Sequence, residues 1–193
     1  MRELSLHILD VIQNAVEAGA TRVQVSIVED AEEDRMEIEI LDNGRGMDAE
    51  ILEQVKNPFY TTRATRHIGL GVPLFLAATR QCEGDLSLDS EPGKGTRLRA
   101  TFRYSHIDRA PLGDLPEALF AILLSEHPVD IDYIHRIGTR EFRFDSSEIR
   151  EELAPVPLNH PRVRNWLMEV LREGEADLDS KEKKDTGNRP ASS

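Results

Sequence analysis

Four polar residues near the start of the chain recur at helical spacing: His7, Asp10, Asn14 and Glu17. On an α-helix, offsets of three, seven and ten residues share one face. There a carboxylate can orient a water or a hydroxyl, and an amide oxygen can meet a hard cation. By itself such a stripe is an ordinary solvated helix face. Further on, Asp42-Asn43-Gly44-Arg45-Gly46-Met47 closes a run rich in Ile and Leu. An acid in that place can accept a hydrogen bond from an exocyclic amine, while glycines let a flat ring approach the backbone. His67-Ile68-Gly69-Leu70-Gly71-Val72 precedes a helical pattern, so its backbone N–H groups and the helix dipole can hold phosphate oxygens. No Gly-Lys-Ser/Thr follows, which excludes a Walker A loop. Gly93-Lys94-Gly95-Thr96 opens a strand, and Arg63, Arg66, His67 and Lys94 supply positive charge for phosphate contact. Of these, Arg63 and Arg66 lie near enough to the glycine turn to be expected there.

These residues need elements to position them. Ile8, Val11, Ile12 and Ala15 form the apolar stripe of a first helix over residues 3–18, with Gly19 just past its end. Arg22 to Val28 and Met36 to Leu41 alternate like paired strands around the acidic stretch Glu29 to Arg35. A short helix from Asp48 to about Lys56 stops at Asn57-Pro58, and another runs from Gly71 to Cys82. Leu86 to Leu88 and Thr96 to Tyr104 are strands around a Gly- and Pro-rich turn. The rest predicts a helix at 115–124, a hairpin of Val129–Ile137 and Arg140–Asp145 around Gly138-Thr139, and helices at 146–153 and 162–172. The expected organisation is a domain over 1–104, a small helix-hairpin-helix unit over 105–175, and a disordered tail over 176–193, which is charged and without periodicity.

The 193 residues carry 39% hydrophobic and 31% charged side chains, with a mean hydropathy of -0.45. That is a globular balance, able to bury one sizeable core. The longest uninterrupted apolar run, Ala118 to Leu124, is far too short for a bilayer crossing of roughly 20 residues. No signal-type apolar core follows Met1, so the expected location is cytoplasmic, with no membrane partner. One cysteine, Cys82, excludes an intramolecular disulfide and a cysteine-based metal cluster. The formal net charge of -12 disfavours nucleic acid as a partner.

The order of the motifs is more specific than any one of them. Asn14 on the first helix, Asp42-x-Gly44-x-Gly46 after a strand, Asn57-Pro58-Phe59-Tyr60-Thr61-Thr62-Arg63, Gly69-Leu70-Gly71 before a helix, and Gly93-x-Gly95-Thr96 before a strand together resemble the GHKL superfamily. Its members include DNA gyrase B, MutL, the ninety-kilodalton chaperones and the sensor histidine kinases. The resemblance implies an α+β fold, a Bergerat-type two-layer α/β sandwich with a mixed, mainly antiparallel sheet, and it implies ATP with Mg²⁺ as the ligand. It makes Asn14 the Mg²⁺ ligand, Asp42 the acceptor for the adenine amino group, and Gly44 and Gly46 the shapers of the pocket. Phe59 and Tyr60 mark the lid, Gly69, Leu70 and Gly71 cradle phosphates with Arg63 or Arg66 alongside, and Thr96 supports Asp42 through its hydroxyl by way of water.

Two departures refine this. Hydrolytic members place a Glu four residues before the Asn, whereas this chain has the shorter Asp10 as its catalytic candidate. The lid from Arg63 to Gly69 is also short, which separates the chain from the dimer-clamping gyrase and MutL branches and brings it closer to histidine kinases and anti-sigma serine kinases. A homodimer remains compatible with this reading. No residues precede the first helix to supply a phosphoacceptor hairpin, so the expectation is a stand-alone catalytic module with a separate protein partner, a regulatory ATP-binding module, or an anti-sigma-type serine kinase. Ser105-His106-Ile107-Asp108 resembles an H-box, but Ile107 replaces the acid that normally follows the histidine, and Gly113 and Pro116 break the helix it needs. A linker that caps the sheet is the expected role of this segment.

Overall fold

The computed structural model describes residues 3–56, 71–125, 127 and 129–186. Helix α1 (Leu4–Glu17) leads into β1 (Arg22–Asp30) and β2 (Arg35–Asp42), followed by α2 (Ala49–Lys56), α3 (Gly71–Gln81), β3 (Leu86–Glu91) and β4 (Gly95–Arg103). Then come α4 (Leu115–Leu123), β5 (Asp130–Ile137), β6 (Arg140–Asp145), α5 (Ser146–Leu153) and α6 (Pro161–Thr186). The strands form one sheet in the order β3-β4-β2-β1-β5-β6. Every neighbouring pair is antiparallel except β1 and β5, which run parallel.

The alternation that predicts the strands also decides their faces. Val23, Val25 and Ile27 of β1, with Ile38 and Ile40 of β2, point to the helices and are fully or almost fully buried. They pack against Leu4, Ile8 and Ile12 of α1 and Phe75 of α3 in a single core. Cys82 is buried in this core, and burial pushes its thiol above the ordinary value.

Two expectations require correction. The segment 105–175 is not set apart as a small unit of its own: β5 pairs with β1 along Arg22 to Glu29, and Leu119, Ile131, Tyr133 and Leu167 belong to the same core as α1. Its hairpin closes on Gly138 as expected, with Ile137 opposite Arg140, yet it extends the sheet. The reason lies in a strand pairing between residues 108 positions apart, which local patterning does not encode. The second correction concerns the tail. Helix α6 continues past residue 175 to Thr186 and buries Leu178. Gly174 lets it lie against Phe142, where any Cβ would come within 2.5 Å of the ring, and Arg140 donates to the Leu178 carbonyl. Tertiary contacts, with little local periodicity, hold this part of the helix.

His135 on β5 fixes the same helix. Its Nδ1 lies 2.9 Å from Glu175 and its Nε2 3.1 Å from Glu29, while the Tyr133 hydroxyl donates to Glu175 at 2.7 Å. Burial alone would depress the imidazole, but the hydrogen bonds and charges of Glu175 and Glu29 overcome it and raise the pKa from 6.5 to about 9. A raised folded value stabilises fully below the unfolded one and is lost as pH rises through the folded one. Wild type should therefore exceed His135→Gln in unfolding free energy near pH 6.5, with on the order of 3 kcal/mol of that advantage lost by pH 10. Urea titrations of both proteins across this range check it, and a difference independent of pH would contradict the charged imidazole.

The 105–112 segment follows β4 and packs Ala110 into the core. His106 sits in a turn rather than a helix, accepting from the Asp108 N–H at 3.2 Å, and Ile107 is 92% exposed. Beyond it, Pro111 and Leu112 accept from the N–H groups of Leu4 and Ser5 and pin the start of α1.

Candidate functional site

The polar stripe of α1 is covered over most of its length, with only Glu17 exposed. Helix α3 lies across it: His7 is buried with its ring stacked on Phe75 at 5.0 Å, and Asp10 and Asn14 are half-buried. Gly71, the first residue of α3, makes the approach close, since a Cβ there would stand 3.0 Å from the Asp10 Cβ. Asp10 is thereby held beside the N-terminus of α3, and Asn14 faces a cleft one turn further along.

That cleft, of about 210 Å³, opens between α1, α2, α3 and the helix-facing side of β2–β4. Its walls are apolar, including Ile40, Met47, Val55, Val72 and Leu98, and its polar groups are Asn14, Glu17, Asp42, Arg45 and Thr96. Asp42, the last residue of β2, is buried in this cleft. The Gly44 N–H donates to its Oδ1 at 2.8 Å, and the Thr96 N–H donates to it as well. Burial outweighs both bonds and pushes the carboxyl above the ordinary value. A hydrogen-bond donor arriving here would therefore meet a strong acceptor in a partly dehydrated setting.

Glycines set the shape. Gly44 has room for a Cβ only 3.0 Å from Asp42 Oδ1 and 3.1 Å from Ala18. Gly46, at φ 66°, and Gly95, at φ 91°, are tighter still: a Cβ on Gly46 would overlap the Glu91 carbonyl and one on Gly95 the Asp42 carbonyl. The loop after β2 and the β3–β4 turn therefore touch backbone to backbone, joined by the Gly93 N–H donating to the Arg45 carbonyl at 2.7 Å.

Asp10, Asn14, Asp42, Gly44, Gly46, Gly71 and Thr96 are thus brought around one cleft and its α3 edge. Phe59, Tyr60, Arg63, Arg66, Gly69 and Leu70 lie outside the described residues. The Thr96 backbone N–H supports Asp42 directly, and its hydroxyl lies 3.0 Å from that of Ser90. Lys94 is engaged by Glu91 at 2.6 Å. Sequence reasoning missed Arg45 and Ser90. Arg45 stands inside the glycine motif, where it could have been found, whereas Ser90 is indistinguishable from any small residue of an alternating strand.

Helices on one side of a mixed sheet, with a cleft between the layers ending in a buried acid and two close-packed glycine loops, define a two-layer α/β sandwich built to hold a ligand. Residues 2–106 match the family of histidine kinase-, DNA gyrase B-, and HSP90-like ATPases, and the chain belongs to it. Over 88 residues it is 34% identical to sporulation kinase C of Bacillus subtilis, covering 46% of this chain and 20% of that one. Over 110 residues it is 34% identical to the sensor protein kinase FleS of Pseudomonas aeruginosa, covering 57% and 27%. The chain therefore spans about a quarter or less of these relatives' own length. Among solved structures, the N-terminal domain of a DNA repair protein superposes with a TM-score of 0.51 over 76% of this chain and 53% of that one, at 11% identity, a likeness of fold alone. No described helix is long and apolar enough to cross a membrane.

Proposed function

We propose that this chain binds ATP with Mg²⁺ in the cleft and either hydrolyses the γ-phosphoryl slowly or passes it to a separate protein partner, in the manner of histidine-kinase-like proteins. The observation that carries the reading is Asp42: a buried acceptor in an apolar cleft suits the 6-amino group of adenine, with Gly44 and Gly46 leaving room for the ring. Asn14, on the same cleft, offers one hard oxygen. That suits Mg²⁺, which keeps waters and substrate phosphates in most of its coordination positions and neutralises phosphate charge. Gly71 opens α3, and the resemblance assigns Gly69, Leu70 and Gly71 to the phosphate oxygens, Arg63 and Arg66 to the charge beside them, and Phe59 and Tyr60 to the lid.

A second reading has ATP act as a switch, setting the conformation of residues 105–175 for a protein partner. It draws on the hydrogen bonds that tie Leu4 and Ser5 of α1 to Pro111 and Leu112, because α1 also carries Asn14. Incubation with γ-labelled ATP, with and without cell extract, separates the two. Label on a protein or in free phosphate is the expected result, and a serine acceptor would identify the anti-sigma-type variant. Binding of ATP with no label moved in either condition would leave only the switch.

A further inference from the structure

Strand β6 ends the sheet, so one of its edges has no neighbouring strand. Which groups it leaves open follows from β5. There the N–H groups of Asp130 and Gly138 turn toward β1, to the Thr21 and Glu29 carbonyls, while that of Ile131 turns the other way, to the Ser146 hydroxyl. Backbone groups alternate in direction along a strand, so the odd-numbered residues of β5 bond to β6. Opposite them stand Arg140 at Ile137, Phe142 at His135 and Phe144 at Tyr133. The N–H and C=O groups of Glu141 and Arg143 therefore point to the open edge. Phe144 is buried with Tyr133 on the helix side of the sheet, which puts the exposed side chains of Glu141 and Arg143 on the other face. Edge strands are normally blunted by proline, a bulge or charges that repel a copy. Residues 140–145 hold no proline or glycine, and the two side chains at the open edge are opposite in sign.

We propose that β6 is a dimerisation edge: the β6 of a second copy of this chain pairs with it antiparallel, about a two-fold axis at Phe142, and the two sheets become one. About that axis Glu141 of each copy stands opposite Arg143 of the other, in a pair that exchanges backbone hydrogen bonds, and symmetry supplies the pair twice. Charge selects this register. Sliding one strand by two residues, the smallest step that keeps faces and bonds in phase, sets Glu141 against its own copy, or Arg143 against its own copy with Glu141 against Asp145. Like charges placed opposite one another are unfavourable. Glu141 already meets Arg136, but both of those bonds use Oε2, so Oε1 takes no part in them. Charge also selects the edge. At the other end of the sheet, Leu86–Glu91 carries Asp89 and Glu91 and no basic residue, so a second β3 brought there meets only its own sign. A single pair of short strands buries little area, which makes the dimer weak and dependent on concentration. None of this rests on what the cleft binds.

The test is sedimentation equilibrium of the full chain between about 1 µM and about 1 mM, in about 0.15 M salt so that the net negative charge is screened. Wild type should show a monomer–dimer equilibrium within this range. Glu141→Arg and Arg143→Glu each put like charges opposite one another at both symmetric positions, and each should weaken self-association by at least about tenfold. Mixed in equal amounts, these two variants should associate about as well as wild type, because each then meets its opposite charge on the other. The double variant Glu141→Arg/Arg143→Glu should likewise recover self-association, yet should not join wild type. A merely structural role for either residue would leave the mixture as weak as its components, which would overturn the pairing. A wild type that stays monomeric at about 1 mM overturns it too, as does growth beyond two copies, since an isologous edge closes at the dimer. Should a single variant fail to fold, the double variant decides alone, and its staying monomeric overturns the proposal.

Discussion

Asp42→Asn should weaken ATP binding by on the order of a hundredfold, the range expected when a hydrogen bond to a charged partner is lost in a partly buried site. The carboxylate only accepts, whereas the amide that replaces it can turn a donor toward the adenine amino group. The pH dependence carries the same signature. Burial holds the Asp42 carboxyl above its ordinary value despite two backbone donors. A group raised in this way favours the folded, ligand-free chain below its unfolded pKa, and that contribution is lost as pH rises through the folded value. A bound amino group reverses the preference by stabilising the ionised form. ATP affinity in wild type should therefore fall as pH drops through the raised value, and Asp42→Asn, measured beside it, should lack that component. The thermal midpoint of the ligand-free variant should stay within about 3 °C of wild type, because the amide oxygen can keep the Gly44 bond while a desolvated charge disappears. Normal ATP affinity in Asp42→Asn would remove this residue from the base site.

How much of this is legible in the sequence depends on the range of the interaction. The apolar stripe of α1, the alternation in β1 and β2, and the glycines after Asp42 are local signals, and each element falls within a few residues of where they place it. The polar stripe is also visible, but its environment is not: that His7 stacks on Phe75 follows from the packing of α3 on α1. The same limit explains the sheet. Arg22 pairs with Asp130, and nothing near either residue says so. It explains α6 as well, where Glu175 gains its meaning only through Tyr133 and His135.

The site divides along the same line. Asp42, Asn14 and Gly71 are recognisable from residue type and order, because a motif records what the ligand needs. Ser90 is not. Its partners Met47, Gly95 and Thr96 belong to two loops whose contact arises from the pairing of β4 with both β2 and β3. A residue that ties two loops together through its hydroxyl leaves no pattern of its own.

Asp10→Asn should leave ATP affinity close to that of wild type and lower turnover by about 10² to 10⁴, the range for loss of a positioned base. The carboxylate sits against Gly71 at the N-terminus of α3, which the proposed reading makes the phosphate end of the site, and away from Asp42 at the base end. In that position it can orient a water or an acceptor hydroxyl toward the γ-phosphoryl without contributing to adenine binding. Asp10→Glu is the sharper probe. If a short side chain is what slows hydrolysis, the longer acid should raise the rate of phosphate release, because positioning of the nucleophile accounts for much of such a barrier. The close contact at Gly71 sets a condition on this experiment: Asp10→Glu must keep wild-type ATP affinity, which shows that the extra methylene has not displaced α3. Rates of phosphate release from wild type, Asp10→Asn and Asp10→Glu at saturating ATP and Mg²⁺ decide the matter. Three equal rates would strip Asp10 of a catalytic role and leave ATP as a conformational ligand of this fold.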